Sequence, residues 1–253
     1  MSETEPDSTP KIIIKKDGPY KVQGGVPFIK LTQVCSEYGE PLEWQFLGDQ
    51  TPDRPTYLLC RCGKSATYPF CDGSHKLGFD GTETARTDRA SLRVFTYKGP
   101  GLTVKKDSSL CMQSGFCVLR NTSVSELAYG SIDPTKRDRA IKMVHDCPSS
   151  SLTCRLPEDP EHNLEPDLPM QIAETIEITS YGPIRAPIFV MGYLPIERSD
   201  GLPFLQLYRV SLCTCGGQRN KPLCEGTLHL NQEAALRRKA RKNIGRVYVR
   251  TPV

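Results

Sequence analysis

The stretch CRCGKSATYPFCDGSH, residues 60–75, contains four side chains that bind metals. Cys60 and Cys62 are separated by one residue, so both thiolates can bind one metal ion if the backbone bends between them. Cys71 supplies a third thiolate after a loop, and His75 follows four residues later, which places both on one face of a helical turn. Three thiolates and one imidazole suit either a zinc ion or a two-iron cluster.

The same residues match the motif C-x-C-x2-(S/T)-x3-P-x-C-D-G-(S/A/T)-H at every position, so this region resembles the CDGSH iron–sulfur (mitoNEET-like) family. The resemblance spans residues 11–90, because the segment KDGPYKVQGGVP also looks like the first strands of bacterial CDGSH domains. It implies a [2Fe–2S] cluster with Cys60 and Cys62 on one iron and Cys71 and His75 on the other. A zinc-ribbon-like site with no redox role is the alternative.

An internal repeat predicts a second region of the same kind near the end of the chain. The block GPY…GGVP…CRC…PFC…H recurs as GPI…MGYLP…CTC…PLC…H. The resemblance implies a second [2Fe–2S] cluster bound by Cys213, Cys215 and Cys224. The candidate fourth ligand is His229, which follows Cys224 by five residues and is therefore rotated by ~100° in a regular helix unless a one-residue bulge intervenes. A degenerate copy that only completes the fold is the alternative.

The centre of the chain carries a different cysteine pattern. Cys111 and Cys117 are followed, after 29 intervening residues, by Cys147 and a proline. This region looks like a divergent mono-cluster ferredoxin in which Ser114 replaces the middle cysteine of the C-x2-C-x2-C run. The resemblance implies a [3Fe–4S] cluster, or a [4Fe–4S] cluster whose fourth iron binds water, the Ser114 hydroxyl or another group. The absence of any cluster is the alternative, and Cys154 is predicted to be a buried apolar side chain.

These regions predict an α+β, β-rich fold. Single-motif CDGSH proteins are similar to one another in forming dimers with exchanged strands, so the two copies are expected to form an intramolecular pseudo-dimer. A small ferredoxin-like βαβ domain is inserted between them. The predicted divisions are a disordered segment 1–10, CDGSH domain 11–90, ferredoxin-like domain 91–156, acidic proline-rich linker 157–170, second CDGSH domain 171–235 and basic tail 236–253.

The composition excludes several classes of protein. The longest apolar run, residues 188–196, is far shorter than the ~20 residues that span a bilayer, and the N-terminus is too acidic and polar for a signal peptide. A net charge of +4 gives no support for nucleic-acid binding. The eleven cysteines are an odd number, which favours metal chemistry in a reducing compartment over a complete set of disulfides. We therefore expect a cytoplasmic protein that is not an enzyme.

The sequence favours a multi-cluster iron–sulfur protein. Two [2Fe–2S] clusters and one [3Fe–4S] or [4Fe–4S] cluster suit single-electron transfer, or the storage and transfer of iron–sulfur clusters. The expected partner is a redox protein or a cluster acceptor, with neither a membrane nor a nucleic acid involved, and the expected state is a monomer with an internal pseudo-two-fold axis. The alternative is a zinc-stabilised interaction module without redox activity.

Overall fold

The computed structural model describes residues 9–85, 94–227, 231–232 and 234–238. The structure is β-rich with few helices, which is compatible with the predicted α+β class. The strands are β1 (Lys11–Ile14), β2 (Tyr20–Gln23), β3 (Phe28–Cys35), β4 (Pro41–Asp49), β5 (Tyr57–Leu59), β6 (Val94–Lys98), β7 (Thr103–Asp107), β8 (Val118–Leu119), β9 (Thr122–Ser123), β10 (Leu152–Arg155), β11 (Gln171–Thr179), β12 (Gly182–Met191), β13 (Ile196–Glu197) and β14 (Arg209–Leu212), and the helices are α1 (Val124–Tyr129) and α2 (Pro134–Asp146). None of the described helices is long and apolar enough to cross a membrane. His229, most of the predicted disordered N-terminus and most of the predicted basic tail lie outside the described residues.

Two sheets each combine strands from the N-terminal and the C-terminal parts of the chain. The first sheet has the order β13-β1-β2-β5, and the second has the order β4-β3-β11-β12-β14. In each sheet an antiparallel hairpin is extended by a parallel strand from the other end of the chain, β13 beside β1 and β3 beside β11. The Ile12 N–H donates to the Pro195 carbonyl at 2.8 Å, and the Ile172 N–H donates to the Pro27 carbonyl at 2.9 Å. The exchange is therefore reciprocal.

One apolar core joins the two sheets. Its buried side chains come from strands of both, and they include Ile12, Ile14, Tyr20, Val22, Phe28, Ile172, Ile188, Val190, Val210 and Leu212. Each large side chain of this kind contributes about 1.5–3 kcal/mol when it is fully removed from water. The two ends of the chain cannot separate without exposing this shared surface.

The hairpin of β3 and β4 extends the second sheet. Strand β3 continues to Cys35 and pairs with β4. Most side chains of β4 are exposed, so the strand lacks the alternation of apolar and polar residues that marks a half-buried strand. Trp44 instead reaches the central part of the chain, where its indole N–H donates to the Asp146 carbonyl at 2.9 Å.

The central unit is a three-stranded antiparallel sheet with two helices. The sheet order is β10-β7-β6, and the helices lie between β7 and β10 in the chain. The chain order strand–helix–strand is that of the predicted ferredoxin-like βαβ domain, but the β7–β10 ladder is antiparallel, so the ferredoxin-like arrangement stays a prediction. Helix α2 begins at Pro134 with the Asp133 carboxylate accepting from the Thr135 N–H, a favourable combination of N-cap and first-turn proline. The helix ends at Asp146, and Cys147 follows directly.

The acidic proline-rich segment 157–170 contains no strand or helix, and it is docked rather than free. The Leu164 N–H donates to the Cys154 carbonyl at 2.7 Å, and the Leu168 N–H donates to the Tyr208 hydroxyl at 2.9 Å. These contacts fix the segment between the central unit and the strand that follows Tyr208.

Candidate metal centres

The first site consists of Cys60, Cys62, Cys71 and His75, which strand β5 and the loop after it bring together. Cys60 Sγ and Cys62 Sγ lie 3.8 Å apart, and Cys71 Sγ lies 3.3 Å from His75 Nδ1. His75 lies on a single 3-10 turn, and the Gly73 N–H before this turn donates to Cys71 Sγ at 3.4 Å. The four predicted ligands therefore form two pairs.

The chemistry of the first site fits a two-iron cluster. Burial raises the pKa of Cys62 and of Cys71, and the other thiols of the site raise both further. A ligand thiol must ionise, so a bound cation has to compensate for the buried charge. Within the described part of the chain, no three His, Cys, Asp or Glu side chains converge on a single ion. A pair of thiols and a thiol–imidazole pair would suit the two irons of a cluster, and three thiols with one imidazole would also suit a zinc ion.

Asp72 closes the loop that carries these ligands. Its carboxylate accepts from the Ser74 N–H at 2.9 Å and from the Ala66 N–H at 2.7 Å, and these hydrogen bonds lower its pKa. In the second cysteine region the carboxylate of Glu225 accepts from the Arg219 N–H at 3.0 Å. The replacement of aspartate by glutamate therefore keeps this connection across the loop.

The second site brings together three of its four predicted ligands. Cys213 Sγ and Cys215 Sγ lie 3.4 Å apart, and both residues group with Cys224. The Gly226 N–H donates to Cys224 Sγ at 3.4 Å. Burial raises the pKa of Cys213, and it raises the pKa of Cys224 to about 12. The fourth predicted ligand, His229, lies outside the described residues.

Each cysteine of the first region has an equivalent cysteine 153 positions later in the chain, and the backbone hydrogen bonds of the two regions are equivalent as well. The Cys60 N–H donates to the Pro69 carbonyl at 2.8 Å. The Cys213 N–H donates to the Pro222 carbonyl at 2.9 Å. Each hydrogen bond joins the first cysteine of its region to the proline two residues before the third cysteine, so the two loops are closed in the same way.

The two regions touch through a pair of glycines. A Cβ atom at Gly63 would lie 3.0 Å from the Cys215 carbonyl oxygen, and a Cβ atom at Gly216 would lie 2.9 Å from the Cys62 carbonyl oxygen. Both glycines are in the left-handed region, with φ of +74° and +71°. Glycine allows both the conformation and the close approach at these two positions. The first and second sites are therefore in direct backbone contact.

Gln218 distinguishes the second site from the first. Its Oε1 atom lies 3.4 Å from Cys215 Sγ, whereas the equivalent Ser65 donates to the Phe70 carbonyl at 2.6 Å. Gln218 is only 4% exposed, and its Nε2 has no hydrogen-bond partner among the residues that the structure describes. Rotation of the amide would let this NH2 group donate to a thiolate at Cys215. In the sequence, Gln218 is visible only as a departure from the Ser or Thr of the motif.

The central site is a cavity of about 220 Å³ lined by Cys111, Cys117 and Cys147. One water molecule takes only ~30 Å³ in the liquid, so the space suits a larger group. Burial raises the pKa of Cys117 and of Cys147; the positive charges of Lys106 and Arg209, respectively, oppose this effect. The structure thus brings all three predicted ligands to one cavity.

Two further residues of the central pattern have distinct positions. Ser114 also lines the cavity, and its carbonyl accepts from Gln33 Nε2 at 2.9 Å. Cys154 is fully buried in the core of the central unit, with its Sγ 3.8 Å from the Leu164 carbonyl oxygen. Burial raises the pKa of Cys154 to about 12. Its predicted burial is confirmed.

Arg209 is a positioning residue that the sequence does not reveal. It is fully buried at the start of β14, and its guanidinium donates to the carbonyls of Cys147 at 2.8 Å, Leu152 at 2.9 Å and Val144. Its charge is balanced by Glu165, whose carboxylate lies 3.0 Å away. Arg209 therefore fixes the end of α2 and the Cys147 loop, and it brings a positive charge to the central site.

Two family models match separate parts of the chain. Residues 17–76 match the model described as an iron-binding zinc finger of the CDGSH type, and residues 97–156 match the model described as a divergent 4Fe-4S mono-cluster. No curated protein and no solved structure matches the chain significantly. A second CDGSH copy is not matched and stays a prediction. One part of the chain is thus similar to CDGSH iron-binding domains and another to divergent 4Fe-4S mono-cluster domains, and these similarities support iron–sulfur cofactors.

Proposed function

We propose that the protein transfers single electrons through three iron–sulfur clusters: two [2Fe–2S] clusters and a central [3Fe–4S] or [4Fe–4S] cluster. It acts as a cytoplasmic monomer, with a redox protein or a cluster acceptor as its partner, and it is not an enzyme. The observation that carries this proposal is the gathering of nine cysteines into three separate groups, each partly or fully buried, at the three predicted sites.

The proposal includes a second CDGSH-type site and an intramolecular pseudo-dimer. Reciprocal strand exchange between the two sheets supports it. The constant separation of 153 positions between the two cysteine regions supports it as well. A third support is the mutual contact of Gly63 and Gly216 with the opposite Cys-x-Cys loop, which relates the two sites as an approximate two-fold axis would.

Cluster storage and transfer is a second candidate function, and the exposure of the first site favours it. Cys71 and His75 are partly exposed, whereas Cys224, the equivalent of Cys71, is buried. The other thiols do not extend this difference, because Cys60, Cys62 and Cys213 are buried and Cys215 is partly exposed. An acceptor protein can reach an iron through exposed ligands more easily than through buried ones. The first site would then deliver its cluster while the second site retained its own.

Metal analysis of the anaerobically purified protein tests the proposal. Three clusters require about seven irons per chain, or about eight with a [4Fe–4S] centre, and about eight acid-labile sulfides in either case. The protein should be coloured and should give an EPR signal upon reduction or oxidation. A colourless protein with stoichiometric zinc and no sulfide would establish the zinc-stabilised interaction module, because zinc has no visible absorption.

One incubation separates the two candidate functions. The reduced protein is mixed with an oxidised one-electron carrier protein, and separately with an apo-ferredoxin as cluster acceptor. Electron transfer predicts oxidation of the clusters with no loss of iron from the chain. Cluster delivery predicts that iron and sulfide move to the acceptor while the Cys213 group keeps its share.

A further inference from the structure

We infer that the second site is the intermediate position in an ordered path, so that electrons exchanged between the central and first sites pass through it. The inference rests on the proposed function and adds an order to the three sites. It is carried by two sets of contacts that meet at the second site, one from the central loop and one from the first Cys-x-Cys loop.

Met112 connects the central site to the second site. It follows the ligand Cys111 directly in the chain, is 1% exposed, and packs in one apolar cluster with Cys213, Cys224 and Cys215. One residue and one van der Waals contact therefore separate a ligand of the central site from ligands of the second. The thioether of methionine is polarisable and fills such gaps well.

The backbone next to Met112 is also in contact with the second site. A Cβ atom at Gly226 would lie 2.9 Å from the Met112 carbonyl oxygen. Gln113 Nε2 donates to the Glu225 carbonyl at 3.1 Å. The loop that follows Cys224 is therefore held against the central loop by polar as well as apolar contacts.

Strand β14 forms a second connection between the same two sites. Arg209 donates to the Cys147 carbonyl at 2.8 Å, and the Ser211 hydroxyl donates to the Pro148 carbonyl at 2.8 Å. Alternate residues of a strand point to the same side, and Cys213 follows directly after this strand. The strand that leads to a ligand of the second site thus also positions a ligand of the central site.

The first site joins this path through the second. The Gly63 and Gly216 positions bring the Cys62 and Cys215 backbones into contact, as described above. The Tyr68 hydroxyl also donates a hydrogen bond to Thr214 Oγ1 at 3.3 Å. In the sequence, Tyr68 lies between the second and third cysteines of the first site, and Thr214 lies between the first two cysteines of the second site.

Electron tunnelling is faster through bonds and packed atoms than across open gaps, so these contacts favour transfer by way of the second site. With clusters bound, one electron would leave the reduced cluster at one site and enter the oxidised cluster at the next. No bond would be made or broken and no proton would be required, so the exchange would balance within the chain. The cysteines of the second site would hold the cluster that is reduced and then re-oxidised in each passage.

The test uses the full chain and a flash of photoreductant that supplies less than one electron per chain. Rapid-freeze EPR then follows reduction of the central and first sites. In the wild type, the electron should reach the first site in a phase whose rate is independent of protein concentration. In Cys213→Ala this phase should slow by at least an order of magnitude and become concentration-dependent, because transfer between chains must replace the missing site. Cys35→Ala, which alters a cysteine outside the three sites, should behave as the wild type.

Met112 provides a second, finer test. Met112→Ala should slow the concentration-independent phase, and Met112→Leu, which refills the space, should return it to near the wild-type rate. The midpoint potentials and iron content of both variants should stay at wild-type values, which a general structural defect would not allow. Equal rates in the wild type and Met112→Ala would remove Met112 from the path.

The outcomes separate this inference from the proposed function. A wild-type protein without iron and sulfide would overturn both. A protein with all three clusters whose Cys213→Ala variant keeps the first and central clusters and the wild-type rate would overturn the ordered path alone, since transfer would then bypass the second site.

Discussion

The first and second cysteine regions have equivalent backbone hydrogen bonds but different side chains around the sulfurs. Between the paired cysteines, the first region has Arg61 and the second has Thr214. Arg61 is 2% exposed, and its guanidinium donates to the Gly81 carbonyl at 2.7 Å. The guanidinium also lies over the Tyr20 ring, 5.7 Å from its centroid, and the Tyr20 hydroxyl donates to the Cys213 carbonyl at 2.6 Å, so Arg61 belongs to the contact between the two regions. The strand exchange keeps the two loops in one scaffold, whereas the side chains beside the sulfurs differ, as they do at Gln218 and the equivalent Ser65.

Removal of one ligand from each site should have the largest effect. Cys60→Ala should remove about two irons and the EPR signal of the first site, and Cys213→Ala should do the same at the second. Iron analysis and EPR of the reduced proteins measure both losses, with Cys35→Ala as the matched control. Full iron content in Cys213→Ala would make the second region a degenerate copy and break the equivalence of the two regions.

His75→Cys should lower the reduction potential of the first site alone. Replacing a neutral imidazole by a thiolate adds one negative charge to the cluster, which disfavours reduction by on the order of 100–300 mV. An EPR-monitored redox titration measures the shift, and His162→Ala alters an exposed histidine as a control. An unchanged first-site potential would show that His75 is not a ligand.

The close contact between the two cysteine regions should make the free energy of unfolding sensitive to substitution of either glycine. Gly63→Ala and Gly216→Ala should each lower the free energy of unfolding by about 2–4 kcal/mol, through left-handed strain and overlap with the opposite loop. Gly201→Ala has the same φ of +74° with no atom within 4 Å of the added Cβ, so it should cost only about 1 kcal/mol. Chemical denaturation of the three variants gives the comparison. Equal losses in all three would mean that the two loops do not press against each other.

The smallest expected effect concerns Gln218. If its amide donates to the Cys215 thiolate, Gln218→Ser should lower the reduction potential of the second site by ~20–60 mV, a part of the free energy of a charge-assisted hydrogen bond. The same redox titration detects this change, with Gln45→Ser as an exposed control. A second-site potential that does not move would show that the Gln218 amide does not donate to the Cys215 thiolate.

The sequence predicts the site residues better than the contacts between the sites. The ligand cysteines are readable because metal chemistry requires fixed spacings along the chain, and the repeat is readable because cysteine, proline and glycine recur in order. The position of β4 is not readable, because an exposed strand carries no alternating pattern. The roles of Arg209 and Met112 are not readable either, since each depends on a partner far away in the chain.

The central claim is that the chain holds two CDGSH-type clusters, and a spin count in the Cys147→Ala variant tests it most directly. This variant should lose the central cluster and keep both other sites, so the fully reduced protein is expected to show only [2Fe–2S] signals. Each reduced [2Fe–2S] cluster contributes one unpaired spin, so the account predicts about two spins per chain by EPR integration. About one spin per chain, lost on further substitution of Cys60 and kept on substitution of Cys213, would contradict it.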